Sequence, residues 1–168
     1  MRPIFALSLA AVLILPLPAA AQPTPWAHPG EEAIDPYAVD DANAGAAPMA
    51  EDAVFEALGG VQGVSRIIDD LVDRSVRDPR LEEIFKPTDL ARLRRTLKEQ
   101  VCFILGGPCA YSGRDMAAAH KDLGITTAEF NALVENLQGA MDDAGVPFRA
   151  QNRLLARLAP MKGDVVER

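Results

Sequence analysis

The chain contains few side chains whose type and spacing could support chemistry. His120 closes the run AAAH and is the only histidine after His28. Cys102 and Cys109 are the only cysteines, and they flank the sequence GGP. Nothing marks an activated serine or cysteine with a nearby base and an orienting acid, so a nucleophilic triad is not indicated. Chemistry in this chain is therefore expected at the histidine or the two thiols.

Two kinds of metal site are compatible with these residues. A structural zinc ion needs four ligands, and Cys102, Cys109 and His120 supply three, so a three-ligand zinc site stays open. Haem needs only one protein ligand, because the porphyrin supplies four nitrogens to the iron and a single imidazole completes the proximal side. A lone histidine on a short amphipathic helix is also often only a satisfied, partly buried residue. His120 is thus a candidate axial ligand, with that alternative kept.

The two cysteines predict a disulfide. If the chain is exported, as residues 1–21 indicate below, an even cysteine count makes pairing the default. Closing the short loop between Cys102 and Cys109 would stabilise the fold by roughly 2.5 kcal/mol. The sequence C-x-x-C-H is absent, so any haem is expected to be non-covalent. The C-x-x-C spacing of a redox-active pair is missing as well.

The first 50 residues indicate export and a linker. Residues 1–21 have one basic residue, a short apolar run and a final AAA, which is typical of a cleaved secretory signal peptide. Uncleaved, the same run would be a membrane anchor. Residues 22–50 are rich in Pro, Ala and Asp and predict a disordered tether. We expect a periplasmic or secreted protein with one domain over residues 51–168.

The charge distribution argues against a polyanionic partner. The chain has 17 basic and 24 acidic residues, and seven of the acids lie between residues 22 and 52, where there is no Lys or Arg. The domain is therefore near neutral. The run RLRRTLK at 92–98 is interpreted as the solvated face of a helix, and no nucleic-acid partner is expected.

Amphipathic helices must position the histidine. Apolar residues recur at helical spacing in 64–76, 89–104, 126–145 and 148–161, and a shorter helix is expected within 114–123. Thr88 is predicted to cap the second helix, and Thr126 with Glu129 to form a capping box. No segment alternates with a period of two, so the domain is predicted to be all-α.

An ordered set of motifs resembles one known family. The set is LGG (58–60), RSVRDP (74–79), LEEIF (81–85), DLARL (89–93), LGGP (105–108), YSGRDM (111–116), AH (119–120), LGI (123–125), EF (129–130), AGVP (144–147) and LAPM (158–161). From about Val54 to Met161 it resembles the group I truncated haemoglobins. The resemblance implies a two-over-two helical globin fold, non-covalent haem b, and His120 as the ligand of the iron.

The same resemblance assigns the residues around the cofactor. It implies contacts from Phe85, Leu93, Leu97, Tyr111, Met116, His120 and Phe130. It also matches Gly106, Gly107 and Gly113 to family glycines whose tolerance of positive φ loosens the chain around a shortened proximal helix.

The distal positions depart from the family pattern. The family commonly places a tyrosine and a glutamine or another polar residue there, and this chain has Val72, Leu93 and Leu97. An apolar pocket offers no donor to a polarised gas, and a hydrogen bond of that kind contributes about 1.5–3 kcal/mol. Gas binding is expected, but tight oxygen storage is not.

The leading interpretation is a binder or sensor of a diatomic gas (O2, NO or CO). Nitric oxide dioxygenation or peroxidase-like chemistry is the enzymatic alternative, which would require a redox partner that the sequence does not identify. A peroxidase also needs distal acid or base groups, which Val72, Leu93 and Leu97 do not provide. A third alternative is a globin-fold interaction domain with weak or no haem.

Overall fold

The computed structural model describes residues 28–50 and 53–168, and these residues form helices and loops with no strand. The helices are α1 (Ala53–Ala57), α2 (Gly60–Arg77), α3 (Glu82–Phe85), α4 (Leu90–Ile104), α5 (Met116–His120), α6 (Thr127–Asp143), α7 (Phe148–Leu158) and α8 (Lys162–Val165). Short 3-10 turns cover Asp41–Ala44 and Ala159–Met161. The prediction of an all-α domain is confirmed.

Helix α2 is the centre of the packing. It lies against both α4 and α6, and one face of it is buried throughout, with Val64, Ile67, Ile68, Leu71 and Val72 all at most 4% exposed. The buried Ser75 on this face donates its hydroxyl to the Leu71 carbonyl at 2.8 Å, so no polar group is left unpaired there. The main core therefore forms where α4 and α6 flank α2.

The helix ends agree with the sequence in one place and differ in another. The capping box of Thr126 and Glu129 is confirmed, with both reciprocal hydrogen bonds present. Thr88 was the wrong cap for α4. Asp89 is the N-cap, and its carboxylate accepts the Arg92 N–H at 3.1 Å, while the Thr88 hydroxyl donates to the Ile84 carbonyl. A carboxylate satisfies the free N–H groups of a helix start and also favours its positive dipole end.

Residues 28–50 differ from the predicted tether, because they lie along the domain. We call them the N-terminal strap. Glu31 accepts a two-pronged hydrogen bond from Arg95 on α4, at 2.6 and 2.9 Å, and its carboxylate is only 3% exposed. The Met49 N–H donates to the Ile104 carbonyl at 2.9 Å. Proline-rich acidic composition predicted disorder, but these long-range contacts order the segment, and composition does not reveal them.

A second, smaller core lies beneath the strap. Its members are Ala44, Ile104, Tyr111, Met116 and Met161. Gln100, a buried polar residue of α4, donates to the Ala44 carbonyl at 2.9 Å, and the same nitrogen lies 3.3 Å from the sulfur of Met116. The strap, α4 and the start of α5 are therefore joined through this cluster.

The predicted signal peptide, residues 1–21, and residues 22–27 of the predicted tether fall outside the described residues. Within residues 28–50 and 53–168, no helix combines the length and apolar character that crossing a bilayer requires.

Candidate functional site

His120 is the last residue of the five-residue helix α5. The helix begins at Met116 because the Asp115 carboxylate caps it, accepting the Ala118 N–H at 2.8 Å. It ends at His120 because Lys121 leaves helical geometry and Asp122 takes a left-handed conformation with φ of 63°. The imidazole is half-buried. Its Nδ1 lies 2.7 Å from the main-chain carbonyl of Met116, one turn back on the same helix.

This hydrogen bond fixes the tautomer of the neutral imidazole. A carbonyl oxygen can only accept, so Nδ1 must carry the proton. The lone pair is then on Nε2, which is free to bind a metal. A histidine that binds a metal usually donates its other ring N–H to a carbonyl or carboxylate in this way. His120 thus has a ring held by a hydrogen bond through Nδ1 and an Nε2 lone pair that could serve as a single axial ligand.

The loop before α5 is shaped by three glycines, but only one of them for the predicted reason. Gly106 has φ of 79°, as expected. Gly107 and Gly113 are not in the left-handed region. A β-carbon at Gly107 would lie 2.6 Å from the Phe55 ring, and one at Gly113 would lie 2.2 Å from the phenol oxygen of Tyr111. These two positions need glycine because other side chains approach the backbone closely.

The two cysteines bracket the start of this loop. Their sulfur atoms lie at bonding distance and their Cα atoms are 5.8 Å apart, within the range of an ordinary disulfide. Among the described residues, no three His, Cys, Asp or Glu side chains converge on one point. The three-ligand zinc arrangement of Cys102, Cys109 and His120 is therefore not formed there.

Tyr111 anchors the same loop from inside the protein. Its ring is 4% exposed, its phenol donates to the Arg114 carbonyl at 2.9 Å, and burial raises the pKa of the phenol. From outside, Tyr37 of the strap donates to the Ser112 carbonyl at 2.7 Å and lies under the Arg114 guanidinium. The strap and the second core together hold the segment that leads into α5.

Four half-buried leucines pack against the main core. Leu90, Leu93 and Leu97 share one face of α4, Leu133 is on α6, and each of the four is partly exposed. Val72 belongs to that core and is 1% exposed. The placement of Val72, Leu93 and Leu97 on the distal side of a haem stays a prediction.

The other predicted contacts fall into two groups. Phe85 at the end of α3 and Phe130 on α6 are half-buried, and the Lys162 ammonium lies 5.8 Å from the Phe130 ring centre. Tyr111 and Met116 lie instead in the second core. The structure thus groups Leu93 and Leu97 with the main core, and Tyr111 and Met116 with the support of α5; direct contact of any of them with haem stays a prediction.

The basic run of α4 is paired with acids of the protein itself. Arg94 and Lys98 form ion pairs with Asp69, at 3.3 and 2.8 Å. Arg92 and Arg95 both pair with Glu31 of the strap; the Arg92 Nε lies 3.2 Å from its carboxylate, outside hydrogen-bonding geometry. These arginines stabilise the fold around α4.

Sequence reasoning missed the residues that support the site from a distance. These are Glu31 and Tyr37 of the strap, Gln100 of α4, and the terminal residues Glu167 and Arg168. Gln100 carried a weak signal, because it is a polar residue on the buried side of an amphipathic helix. Glu31 and Glu167 carried none, since an exposed acid and a docked acid look alike in sequence.

Comparisons with known proteins agree with this architecture. Residues 53–167 match the model of the family described as bacterial-like globin. The group 1 truncated haemoglobin of Synechocystis is 32% identical over 66% of this chain and 89% of its own length. Among solved structures, the truncated haemoglobin of Tetrahymena pyriformis in its Fe(III) form has a TM-score of 0.65 and 25% identity, over 68% of this chain and 98% of that one.

The description of a third relative names its haem cofactor. The 2/2 haemoglobin of Synechococcus, solved in the cyanomet state with covalently attached haem, has a TM-score of 0.63 and 27% identity over the same shares of both chains. The family match spans more than half of this chain, and the helices α1 to α8 follow the fold of these neighbours. The chain belongs to the bacterial-like globin family and has the two-over-two fold of the truncated haemoglobins.

Proposed function

We propose that this protein is an exported haem protein that binds a diatomic gas, with the iron held by Nε2 of His120. The observation that carries the proposal is the 2.7 Å contact between Nδ1 of His120 and the Met116 carbonyl. It leaves Nε2 with a lone pair and fixes the ring plane. Membership of a globin family makes haem the metal group that this donor is expected to meet.

The surrounding residues fit such a group. Haem is flat and largely apolar, and the partly exposed leucines Leu90, Leu93, Leu97 and Leu133 offer a surface of that character. When bound, the haem supplies an iron with one open position for a small gas. Binding is proposed to be non-covalent haem b, because the chain lacks the C-x-x-C-H attachment sequence.

The distal residues determine which gas is favoured. Val72, Leu93 and Leu97 carry no hydrogen-bond donor, so a gas that gains negative charge on binding is not stabilised by a side chain. Carbon monoxide and nitric oxide polarise less than oxygen and suffer less from this lack. We therefore propose a binder or sensor of such gases.

Export supports the proposed pairing of the cysteines. Residues 1–21 have the composition of a signal peptide, and a disulfide between Cys102 and Cys109 would persist in an oxidising compartment. We propose a periplasmic or secreted location on the composition of residues 1–21.

A haem titration tests the proposal. Haemin added to the purified full chain should give a Soret band that saturates at one equivalent, and after reduction carbon monoxide should shift that band. His28→Ala is the matched control and should titrate identically, because His28 is exposed and lies at the start of the strap. Absence of a saturable band would favour the alternative of a globin-fold interaction domain.

A further inference from the structure

The turn that follows His120 is held by the two C-terminal residues of the chain. The Glu167 carboxylate accepts the Asp122 N–H at 2.7 Å with one oxygen and the Gly124 N–H at 2.8 Å with the other. The Arg168 guanidinium donates to the Gly124 carbonyl at 3.0 and 2.7 Å. Main-chain bonds of Glu167 and Arg168 to Ile125 and Thr127 complete the attachment.

This attachment acts at a point where the backbone is strained. Asp122, two residues after His120, has φ of 63°, a conformation that residues with a β-carbon rarely adopt. Such a conformation persists only where surrounding contacts hold it. A carboxylate that accepts two N–H groups on either side of the turn provides strong, charge-assisted hydrogen bonds. The Glu167 carboxylate therefore helps to hold the turn, together with Arg168 and the main-chain bonds, at a residue type that enters the left-handed region more readily than most.

Helix α5 is too short to hold His120 by itself. Five residues make little more than one turn, and an isolated helix of that length is not stable. Its entry is fixed by the strap and Tyr111, and α8 packs against its side. Its exit passes directly from His120 into the turn that Glu167 holds, where the Leu123 N–H returns to the His120 carbonyl at 3.3 Å.

We propose that Glu167 is a positioning residue for His120. It fixes the turn at 122–124, and through that turn it sets the end of α5 and the direction in which Nε2 points. Haem held by His120 is the proposed function on which this role rests. Removal of the carboxylate should loosen the turn, weaken the bond between the imidazole and iron, and leave the rest of the fold unchanged.

The test compares Glu167→Ala with Asp164→Ala in the full chain. Asp164 is an exposed acid on α8 for which no hydrogen bond or ion pair is described, so its removal changes charge alone. In Glu167→Ala, amide exchange of residues 122 and 124 in the haem-free protein should accelerate about tenfold or more, since charge-assisted hydrogen bonds are lost. Haem should dissociate faster by a similar factor, and the iron–histidine stretching band in the resonance Raman spectrum should shift or broaden.

Glu167→Gln supplies the conservative comparison, because its amide keeps one acceptor oxygen for one of the two N–H groups. It should give intermediate values of exchange, haem loss and band position. Faster exchange with an unchanged stretching band and unchanged haem loss would overturn the positioning role, and so would unchanged exchange. A parent protein that takes up no haem would contradict the proposed function itself, and the role of Glu167 with it.

Discussion

At the scale of single residues, the function depends on which side chains can reach a bound gas. His120 has a defined tautomer, whereas Val72, Leu93 and Leu97, the positions expected on the distal side, are apolar. The histidine drew attention because it stands alone in the domain, and the distal positions were assigned from the family resemblance; both assignments stay predictions. Sequence reasoning did not anticipate how deeply Val72 is buried. It is 1% exposed, so a larger side chain there would be enclosed by the main core.

Val72→Tyr should slow oxygen dissociation from the haem-loaded protein by about a decade or more, because a phenol donor adds roughly 1.5 kcal/mol of hydrogen bonding. Carbon monoxide dissociation should change far less. Stopped-flow measurement of both gases distinguishes the two effects.

Val72→Phe is the matched control, with nearly the same bulk and no hydroxyl. Overpacking should lower the stability of both variants by about 1–3 kcal/mol, but only the tyrosine should alter oxygen selectively. Equal slowing in both variants would mean that the effect is steric and that no hydrogen bond forms.

At the scale of elements, the strap is where sequence and structure differ most. The helices α2, α4 and α6 were predictable because apolar residues recur at helical spacing, and the Thr126 capping box has a local signature. The strap has no such local sequence signature. The strap is ordered by hydrogen bonds that join Glu31, Tyr37 and Met49 to residues more than fifty positions away in the sequence. Local composition does not predict contacts of that sequence separation.

Glu31→Ala should release the front of the strap. The variant loses the two-pronged bond to Arg95 and the ion pair with Arg92, and the loss of such charged hydrogen bonds costs about 1.5–3 kcal/mol. Limited proteolysis should cut residues 31–43 faster than in the parent. Glu32→Ala is the control, because Glu32 is described as bonding only through its main chain; equal protection of Glu31→Ala and the control would contradict this role.

The same contact should make the strap sensitive to acid. The hydrogen bond from Arg95 lowers the pKa of Glu31 below its ordinary value of 4.5. The docked strap therefore gains stability above pH 4.5, and it loses that stability as the pH falls through the lowered pKa. Amide exchange in residues 31–43 should rise in this acidic range, and Glu31→Gln should reduce the dependence; a remainder is expected from Asp89, which accepts the Glu32 N–H and whose pKa is also lowered. A strap whose exchange is independent of pH in the parent would contradict the assignment.

At the scale of the whole molecule, the N-terminal strap and the C-terminal residues Glu167 and Arg168 both contact the segments that flank one small helix. The strap holds the loop before α5, and Glu167 and Arg168 hold the turn after it. Apolar spacing predicted the main helices and the family resemblance predicted the two-over-two fold, which the structure and its neighbours confirm; the iron ligand stays a prediction. The terminal residues lie at the edge of the matched region or beyond it, so their contacts emerged only from the structure.

The state of the two cysteines bears on the whole protein, because a persistent disulfide is expected only in an oxidising compartment. Material taken from the periplasm should show no free thiol by alkylation and mass spectrometry until it is reduced. Reduction should lower the free energy of unfolding by up to roughly 2.5 kcal/mol while the Soret spectrum stays unchanged, and Cys102→Ser with Cys109→Ser should reproduce both results. Two free thiols in native exported material would contradict the pairing.

The central claim is that Nε2 of His120 binds the iron, and a cavity variant tests it most directly. His120→Gly with haemin should fail to give the parent's saturable Soret band, and added imidazole should restore it, because the free base takes the vacated position. His120→Ala should show the same loss. A Soret spectrum and stoichiometry unchanged from the parent in either variant, without imidazole, would contradict the account.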